Sequence, residues 1–465
     1  MSCTTASPLG RWIGSLRKRL FPILIVLAVS SGTPVSGYCR SKARPAEAAV
    51  TILCYMNGDN DLSQEVLHAL DMMETVGSSD RVNVIALIDG HKGWLGPYRP
   101  QWNRTRLLRL EIDAQVGVIN SEVIEEWGED NLGSPAVLER FIRVGLDRYP
   151  ARRYIFYTFA HGRGVIDTRC FSLEQAGKRL SISKDMTSQS QMAMSDFHGA
   201  IKRGLDGRRF DLMVLFSCLA NMVEVGYALS DVTHTIVGSQ DEIRLLNHPP
   251  GSYQIRGLRF EETIAVLRAE PLTSAPELGR QIVDSHVDSY ERDTVFVTEM
   301  EEEQTCRFSG GMAVVDATAL PALVGELDEL ARLLLAQADS PGVVDAMQGA
   351  LAKTQRFASF LNMEYYDLAN FIRNLRNGIG QPDLLEATAA VLKMIQDRVI
   401  LYERHTQDCE SSGMSVYISN PLVPENIYAA HQALYGASAF ARDTQWDEMI
   451  EVFRLKIRTM EGLAR

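Results

Sequence analysis

RRYIFYTFAHG, residues 152–162, decides the fold. From Tyr154 to Ala160 it is apolar or aromatic apart from Thr158, and it stops at His161-Gly162. A run without polar alternation reads as a strand covered on both faces, the pattern of a parallel sheet between helices. The same reading extends upstream to AVTILCYM (49–56), ended by NGDND (57–61), and to RVNVIALID (81–89), ended by Gly90. Downstream, FDLMVLFSC (210–218) is another buried strand and THTIVGSQ (233–240) a shorter one. RTRLLRLE (104–111) alternates like a strand with one wet face. Between these lie helical segments near 62–76, with Asn60 or Asp61 as cap, from Ser134-Pro135 to about 147, and at 194–205 and 221–231. Strands and helices in this alternation predict an α/β fold with a central, mostly parallel sheet.

The second half changes character. Residues 260–296, 317–349 and 351–403 read as largely helical, with GGMAVVD (310–316) a candidate strand. SGMSVYIS (412–419) is a late strand that ends at Asn420-Pro421. A boundary is expected near the NHPPG turn (247–251). No internal repeat is evident.

Residues 1–19 carry Arg11, Arg17, Lys18 and Arg19 without an acid, and LFPILIVLAVS (20–30) is an apolar core of eleven residues. That is the layout of an export signal and is short for a spanning helix. Cleavage is open between Gly37 and Ala48. It changes the net charge from −12 to −16 or −18, so the acidity belongs to the mature chain. An exported protein, secreted or periplasmic, is expected, with an N-terminal anchor or lipidation at Cys39 the lesser alternatives. The acidic balance argues against a nucleic-acid partner, which needs a positive surface. Seven cysteines (3, 39, 54, 170, 218, 306 and 409) do not make a disulfide scaffold in a chain this long, and neither CxxC nor HExxH occurs.

Chemistry gathers at two strand ends. In open parallel sheets, reactive groups collect beyond the carboxyl ends of the strands. One strand delivers His161 before Gly162, and another delivers Cys218 before a helix. Imidazole can take the thiol proton and leave the nucleophilic thiolate, and a helix starting next to Cys218 would favour that charge. On spacing alone, a buried cysteine and a turn histidine explain these residues equally well.

The residues also resemble a family. YMNGDNDL (55–62), SSDRVNVIALID (78–89), HG (161–162), FDL (210–212), SCLANMVEVGYAL (217–229), GSQDE (238–242) and GMSVYIS (413–419) resemble, in order, the clostripain-like cysteine peptidases of family C11. The resemblance implies a caspase-like three-layer α/β sandwich with a mainly helical C-terminal region. Its divisions would be a signal peptide and basic linker (1–48), a catalytic domain (49–250), and a helical region (251–465) with a late strand at 413–419. It implies a cysteine endopeptidase acting on peptides or proteins, with Cys218 as nucleophile and His161 as base in a dyad that needs no orienting acid. The backbone N–H groups of Gly162 and Cys218 would hold the oxyanion. No metal site is assigned, although clostripain itself is similar to calcium-dependent enzymes. Asp59, Asp61 and Asp89 are the residues a cation would use, against turn and cap duty.

The departures bear on specificity. Family members usually carry an acid two positions before the nucleophile, at the floor of a pocket for Arg or Lys. Here that residue is Phe216, followed by Ser217. An aromatic ring cannot neutralise a guanidinium, so the basic preference is doubtful. The family's Ser-Glu-Glu stretch appears here as Ser239-Gln240-Asp241-Glu242, and Asp241 or Glu242 is the alternative source of charge. A catalytically inactive relative that binds peptides is the rival reading. Arg163 either supports the thiolate or faces solvent. Trp102 and Arg104 are read as packing or substrate contact, and His198 and His234 as structural. Cys170 lies in the polar excursion 165–190, whose Arg169, Lys178, Arg179 and Lys184 mark where self-processing would occur.

Overall fold

Strand β1 (Ala48–Gly58) is the sheet's pivot. Val50, Ile52, Cys54 and Met56 feed one apolar core, while Leu53 and Tyr55 feed the other. Successive side chains of a strand point to opposite faces, so a strand that must be apolar at every position has a core on each side. The computed structural model describes residues 47–462 apart from 94–97, 99–101, 166–182, 244–258, 293–294, 298–303, 307–309, 341, 358–364, 408 and 410. The expectations for the export signal, its cleavage, Cys170 and most of the excursion lie outside the described residues.

Helix α1 (Ser63–Glu74) follows β1 and leads to β2 (Val82–Gly90), then to β3 (Thr105–Arg109) and β4 (Glu122–Gly128). Helix α2 (Pro135–Arg148) returns the chain to β5 (Ala151–Phe159). A hairpin of β6 (Ser183–Asp185) and β7 (Ser190–Met192) precedes α3 (Met194–Leu205) and β8 (Phe210–Phe216). Helix α4 (Val223–Leu229) and β9 (Thr233–Gly238) complete the parallel part.

Helices α5 (Phe260–Ala269) and α6 (Ala275–Arg292) follow, then a pairing of β10 (Val295–Val297) with β11 (Gln304–Cys306). The remaining sheet strands are β12 (Gly311–Asp316) and, much later, β15 (Ile400–His405). Between them stand α7 (Leu320–Ala336), α8 (Val343–Lys353), β13 (Arg356–Phe357), β14 (Tyr365–Asp367), α9 (Leu368–Gly378) and α10 (Pro382–Met394). Strand β16 (Ser415–Tyr417) and helices α11 (Glu425–Tyr435), α12 (Ala439–Asp443) and α13 (Trp446–Met460) close the chain.

The main sheet has nine strands in the order β15-β12-β9-β8-β5-β1-β2-β3-β4. The five from β9 to β2 are mutually parallel, and two antiparallel strands extend each edge. Helices α1, α5 and α6 cover one face, while α2, α3, α4 and the later helices cover the other. This is the three-layer sandwich that the sequence predicts. The chain leaves β1 toward β2 on one side, then returns to build β5, β8 and β9 on the other. The junction of β1 and β5 is therefore a topological switch point, where crevices open beyond the strand ends.

Three expectations are corrected. Residues 400–403, read as the end of a helix, belong to Ile400–His405, an edge strand of the main sheet with Gly311–Asp316 as its neighbour. Residues 45–465 accordingly form one compact unit, so a boundary near residue 250 does not divide the sheet from a separate helical domain. The late strand is shorter than 413–419 and belongs to a small sheet, β13-β14-β16.

Candidate active site

The parallel register of β5 and β8 pairs Phe159 with Phe216. His161 and Cys218 each lie two residues beyond that pair, past the ends of their strands. Ala160 still donates its N–H to the Phe216 carbonyl at 3.4 Å, so the strands remain side by side to the edge of the sheet. Beyond that point the backbones close in. A Cβ on Gly162 would lie 2.6 Å from the Cys218 carbonyl oxygen and 2.7 Å from the Ser217 Cβ. Only glycine permits this approach.

His161 Nε2 lies 2.7 Å from Asp61 Oδ1, in a pair open to solvent on one side. The hydrogen bond from His161 holds the Asp61 carboxyl down to about 2, against the opposing effect of partial burial. Asp61 is thus neither the cap of α1 nor a free turn residue. The turn is served by Asn60, whose Oδ1 accepts from the Leu62 N–H at 2.8 Å. The rest of the NGDND segment docks the β6–β7 hairpin. Asn57 Nδ2 donates to Ser183 Oγ at 2.5 Å, Asn60 Nδ2 to the Lys184 carbonyl at 2.9 Å, and Asp59 accepts from Thr187 N and Oγ1.

Cys218 sits in a turn, half-buried, and the next helix begins only at Val223. The expectation that a helix dipole acts directly on the thiol is corrected accordingly, because that influence fades within a turn of the helix end. A different group reaches the sulfur. The Ile243 N–H donates to Cys218 Sγ at 3.3 Å, and the Ile243 carbonyl lies 3.7 Å away. Leu219, next in the chain, is held at φ +58 with its side chain buried, a conformation that leucine avoids. Its N–H is fixed to the Asp241 carbonyl at 3.0 Å, and that of Asn221 to the Ser239 carbonyl at 2.9 Å.

The other candidates separate. Phe216 is only 2% exposed and packs against Phe159 (ring centroids 4.8 Å apart), Phe260 (5.8 Å) and His286 (6.4 Å). It is a core residue here and not an open pocket wall. Ser217 is buried beneath Gly162, and its hydroxyl has no hydrogen-bond partner among the described residues. Ser239 is an internal tie, with Oγ 2.7 Å from the Gly311 carbonyl. Asp241 is half-buried beside the cysteine turn and accepts the Glu242 N–H at 2.7 Å. Gly162, Arg163, Met194, Ser217, Cys218 and Val225 share one small cleft. A larger cavity of about 380 Å3, which shares Met194 and Val225, is lined by His198 and Asp231, paired at 2.7 Å, and contains no cysteine. Trp102 is buried under the Arg106 guanidinium. His234 is exposed on β9.

The acids named for a cation each have a hydrogen-bond partner. Asp59 is committed to Thr187, Asp61 to His161, and Asp89 Oδ2 accepts from Thr105 Oγ1 at 2.5 Å. Burial, with Glu129, Asp59 and Asp185 nearby, pushes the Asp89 carboxyl up to about 8. Among the described residues, no three His, Cys, Asp or Glu side chains converge to hold an ion. Among the same residues, no helix is long and apolar enough to cross a membrane.

Known proteins share this fold. The model of the clostripain family (peptidase C11) matches residues 54–453. Clostripain of Hathewaya histolytica is 27% identical over 192 residues, which are 38% of this chain and 35% of that protein. The aligned part thus spans about a third of that relative's length. A secreted C11 cysteine protease from Bacteroides thetaiotaomicron, solved with an irreversible peptide inhibitor, superposes with a TM-score of 0.60 at 18% identity. It covers 86% of this chain and 100% of its own. An inactive zymogen C11 protease from Parabacteroides distasonis gives 0.58 at 17% identity, over 86% and 99%.

Proposed function

The chain belongs to the clostripain family, and from that premise we propose that it is an exported cysteine endopeptidase with Cys218 as nucleophile and His161 as base. The observation that supports the reading is the seam of Gly162 on the Cys218 backbone, with His161 and Cys218 each two residues beyond the Phe159–Phe216 pair of the β5–β8 register. Asp61 occupies Nε2 of the imidazole, which leaves Nδ1 for the thiol proton. Asp61 is therefore a positioning residue, and the dyad has an orienting acid after all.

Cys218 Sγ attacks the scissile carbonyl carbon as its proton passes to His161. The oxyanion is held by the N–H groups of Gly162 and Cys218. The C–N bond then breaks, His161 gives its proton to the leaving amine, and a thioester remains. Water adds to the thioester with His161 as base, and cleavage of the C–S bond returns the acid product and the thiol. The Ile243 N–H favours the thiolate through its 3.3 Å contact with the sulfur.

The residue preceding the cut is uncharged in this reading. The buried Phe216 ring offers no anion at the position where the resemblance places an acid. Export rests on the basic and apolar segment at residues 1–30 and on the related structure described as secreted. Self-processing within 165–190 becomes less favoured, because its cut would follow a basic residue.

A peptide library varied at the residue before the cut, assayed with the parent and Cys218→Ala, tests the reading. Cleavage after uncharged residues that vanishes in the variant is expected. Strong Arg/Lys preference would overturn the specificity. Failure of the parent both to cleave and to be labelled at Cys218 by a thiol-reactive peptide would leave the inactive peptide-binding relative.

A further inference from the structure

The two loops that carry Cys218 and His161 are both fastened to one small sheet far along the chain. Asn221, three residues after Cys218, donates from Nδ2 to the Gly413 carbonyl at 2.5 Å, and its own carbonyl accepts the Ser415 N–H at 3.1 Å. Met222 continues the contact as a parallel bridge to Ser415, on β16. On the histidine side, the Tyr365 hydroxyl, on β14, donates to the Arg163 carbonyl at 2.7 Å. A Cβ on Gly164 would press into the Tyr365 ring at 2.8 Å. Strands β14 and β16 are direct neighbours, with Tyr365 paired to Tyr417.

A third tie reaches the segment that fixes Leu219. Gln240 Nε2 donates to Asp367 Oδ2 at 2.9 Å, and the same Asp367 oxygen accepts the Ser412 N–H at 2.6 Å. Asn221, Gln240, Asp367 and Tyr365 are all buried, where hydrogen bonds are strong and an unmade one is costly. A left-handed leucine beside Cys218 persists only where its surroundings over-determine it, and these ties supply that restraint.

We propose that Asn221 and Tyr365 are positioning residues through which the small β13-β14-β16 sheet sets the relation of the Cys218 turn to the His161 loop. The proposal builds on the assignment of Cys218 and His161 above. It makes the C-terminal half a working part of the site, although no side chain of that sheet is asked to touch substrate. The chemistry depends on the sub-ångström relation of thiol and imidazole, so loosening the clamp slows the reaction more than it weakens binding.

Two conservative variants test this. Tyr365→Phe removes only the hydroxyl, and Asn221→Asp replaces the donating amide with an oxygen of the same size. The readouts are kcat and KM separately, the thermal melt, and the pH profile of Cys218 alkylation by iodoacetamide, followed on the Cys218 peptide by mass spectrometry. In each variant we expect kcat to fall by about 10-fold or more with KM nearly constant, alongside a shifted alkylation profile and a retained cooperative melt. For Asn221→Asp, partial recovery at acidic pH is expected, since the protonated carboxyl can again donate to Gly413. Unchanged kcat and alkylation in both variants would overturn the proposal. So would a loss of activity that merely tracks lost folding, including failure of Asn221→Asp to fold. Alkylation reports on Cys218 whatever the nucleophile is. If Cys218→Ala still hydrolysed peptide, the dyad would fall while the clamp would be judged on alkylation alone.

Discussion

His161 and Asp61 face each other across the switch point of the sheet, Nε2 to Oδ1 at 2.7 Å. They come from the ends of β5 and β1, adjacent strands a hundred residues apart in sequence, so the pairing follows from topology. Asp61→Asn keeps the shape but removes the charge that favours one tautomer of the ring. A fall in kcat/KM of about 10- to 100-fold is expected. Because His161 keeps the Asp61 carboxyl near 2, Asp61 is ionised throughout the working range and sets neither limb of the parent's pH profile. A parent profile with a limb that disappears in Asp61→Asn would count against this.

Phe216 invites a different experiment. Its ring is enclosed by Phe159, Phe260 and His286, so Phe216→Ala opens a cavity between β8 and the helices above it. A loss of about 3–5 kcal/mol in urea unfolding is expected. Phe216→Asp, the change that restores the usual family acid, buries an unpaired carboxylate, so it should unfold the chain more readily than it creates cleavage after arginine. A stable Phe216→Asp variant with a clear Arg preference would show that the side chain opens to substrate.

Stability should decline as pH rises through neutrality. Burial raises the Asp89 carboxyl to about 8 and that of Glu224 to about 7. Burial and the adjoining Asp59 raise Asp185 as well. These acids hold protons in the folded state between about pH 4 and 8 that the unfolded chain has released, so stability drops across that window. The thermal midpoint at about pH 5 should exceed that at about pH 8, and Asp89→Asn should flatten the difference. A midpoint that rises with pH in the parent would refute the assignment.

The parallel strands were legible because their signals are local: unbroken apolar runs with abrupt stops before His161 and Cys218. Asp61 was visible as a residue but not as a partner, since nothing in NGDND announces which distant strand will lie beside β1. The edge strand at 400–405 was missed because it follows directly on a helix, through a single turn of π-helix at Ile395–Val399. Phe216 was read as a pocket wall by position in the family. Its burial depends on Phe260 and His286, whose helices arrive from another part of the chain.

Gly162 offers the most direct test of the seam between the two strand ends. The atoms a methyl group would meet there are the Cys218 carbonyl oxygen at 2.6 Å and the Ser217 Cβ at 2.7 Å, and the first is backbone. No rotamer change relieves such a contact, so Gly162→Ala must push the His161 loop away from the Cys218 turn. A displacement of even about 1 Å costs on the order of 100-fold in rate when two groups must meet in a transition state. The variant should therefore lose peptide hydrolysis by about that factor while still melting cooperatively, because the sheet itself ends at Phe159 and Phe216. Labelling of Cys218 by a small alkylating agent should survive, with its dependence on His161 reduced. Full activity in Gly162→Ala would mean that the two loops have slack, and the close approach would lose its role in catalysis.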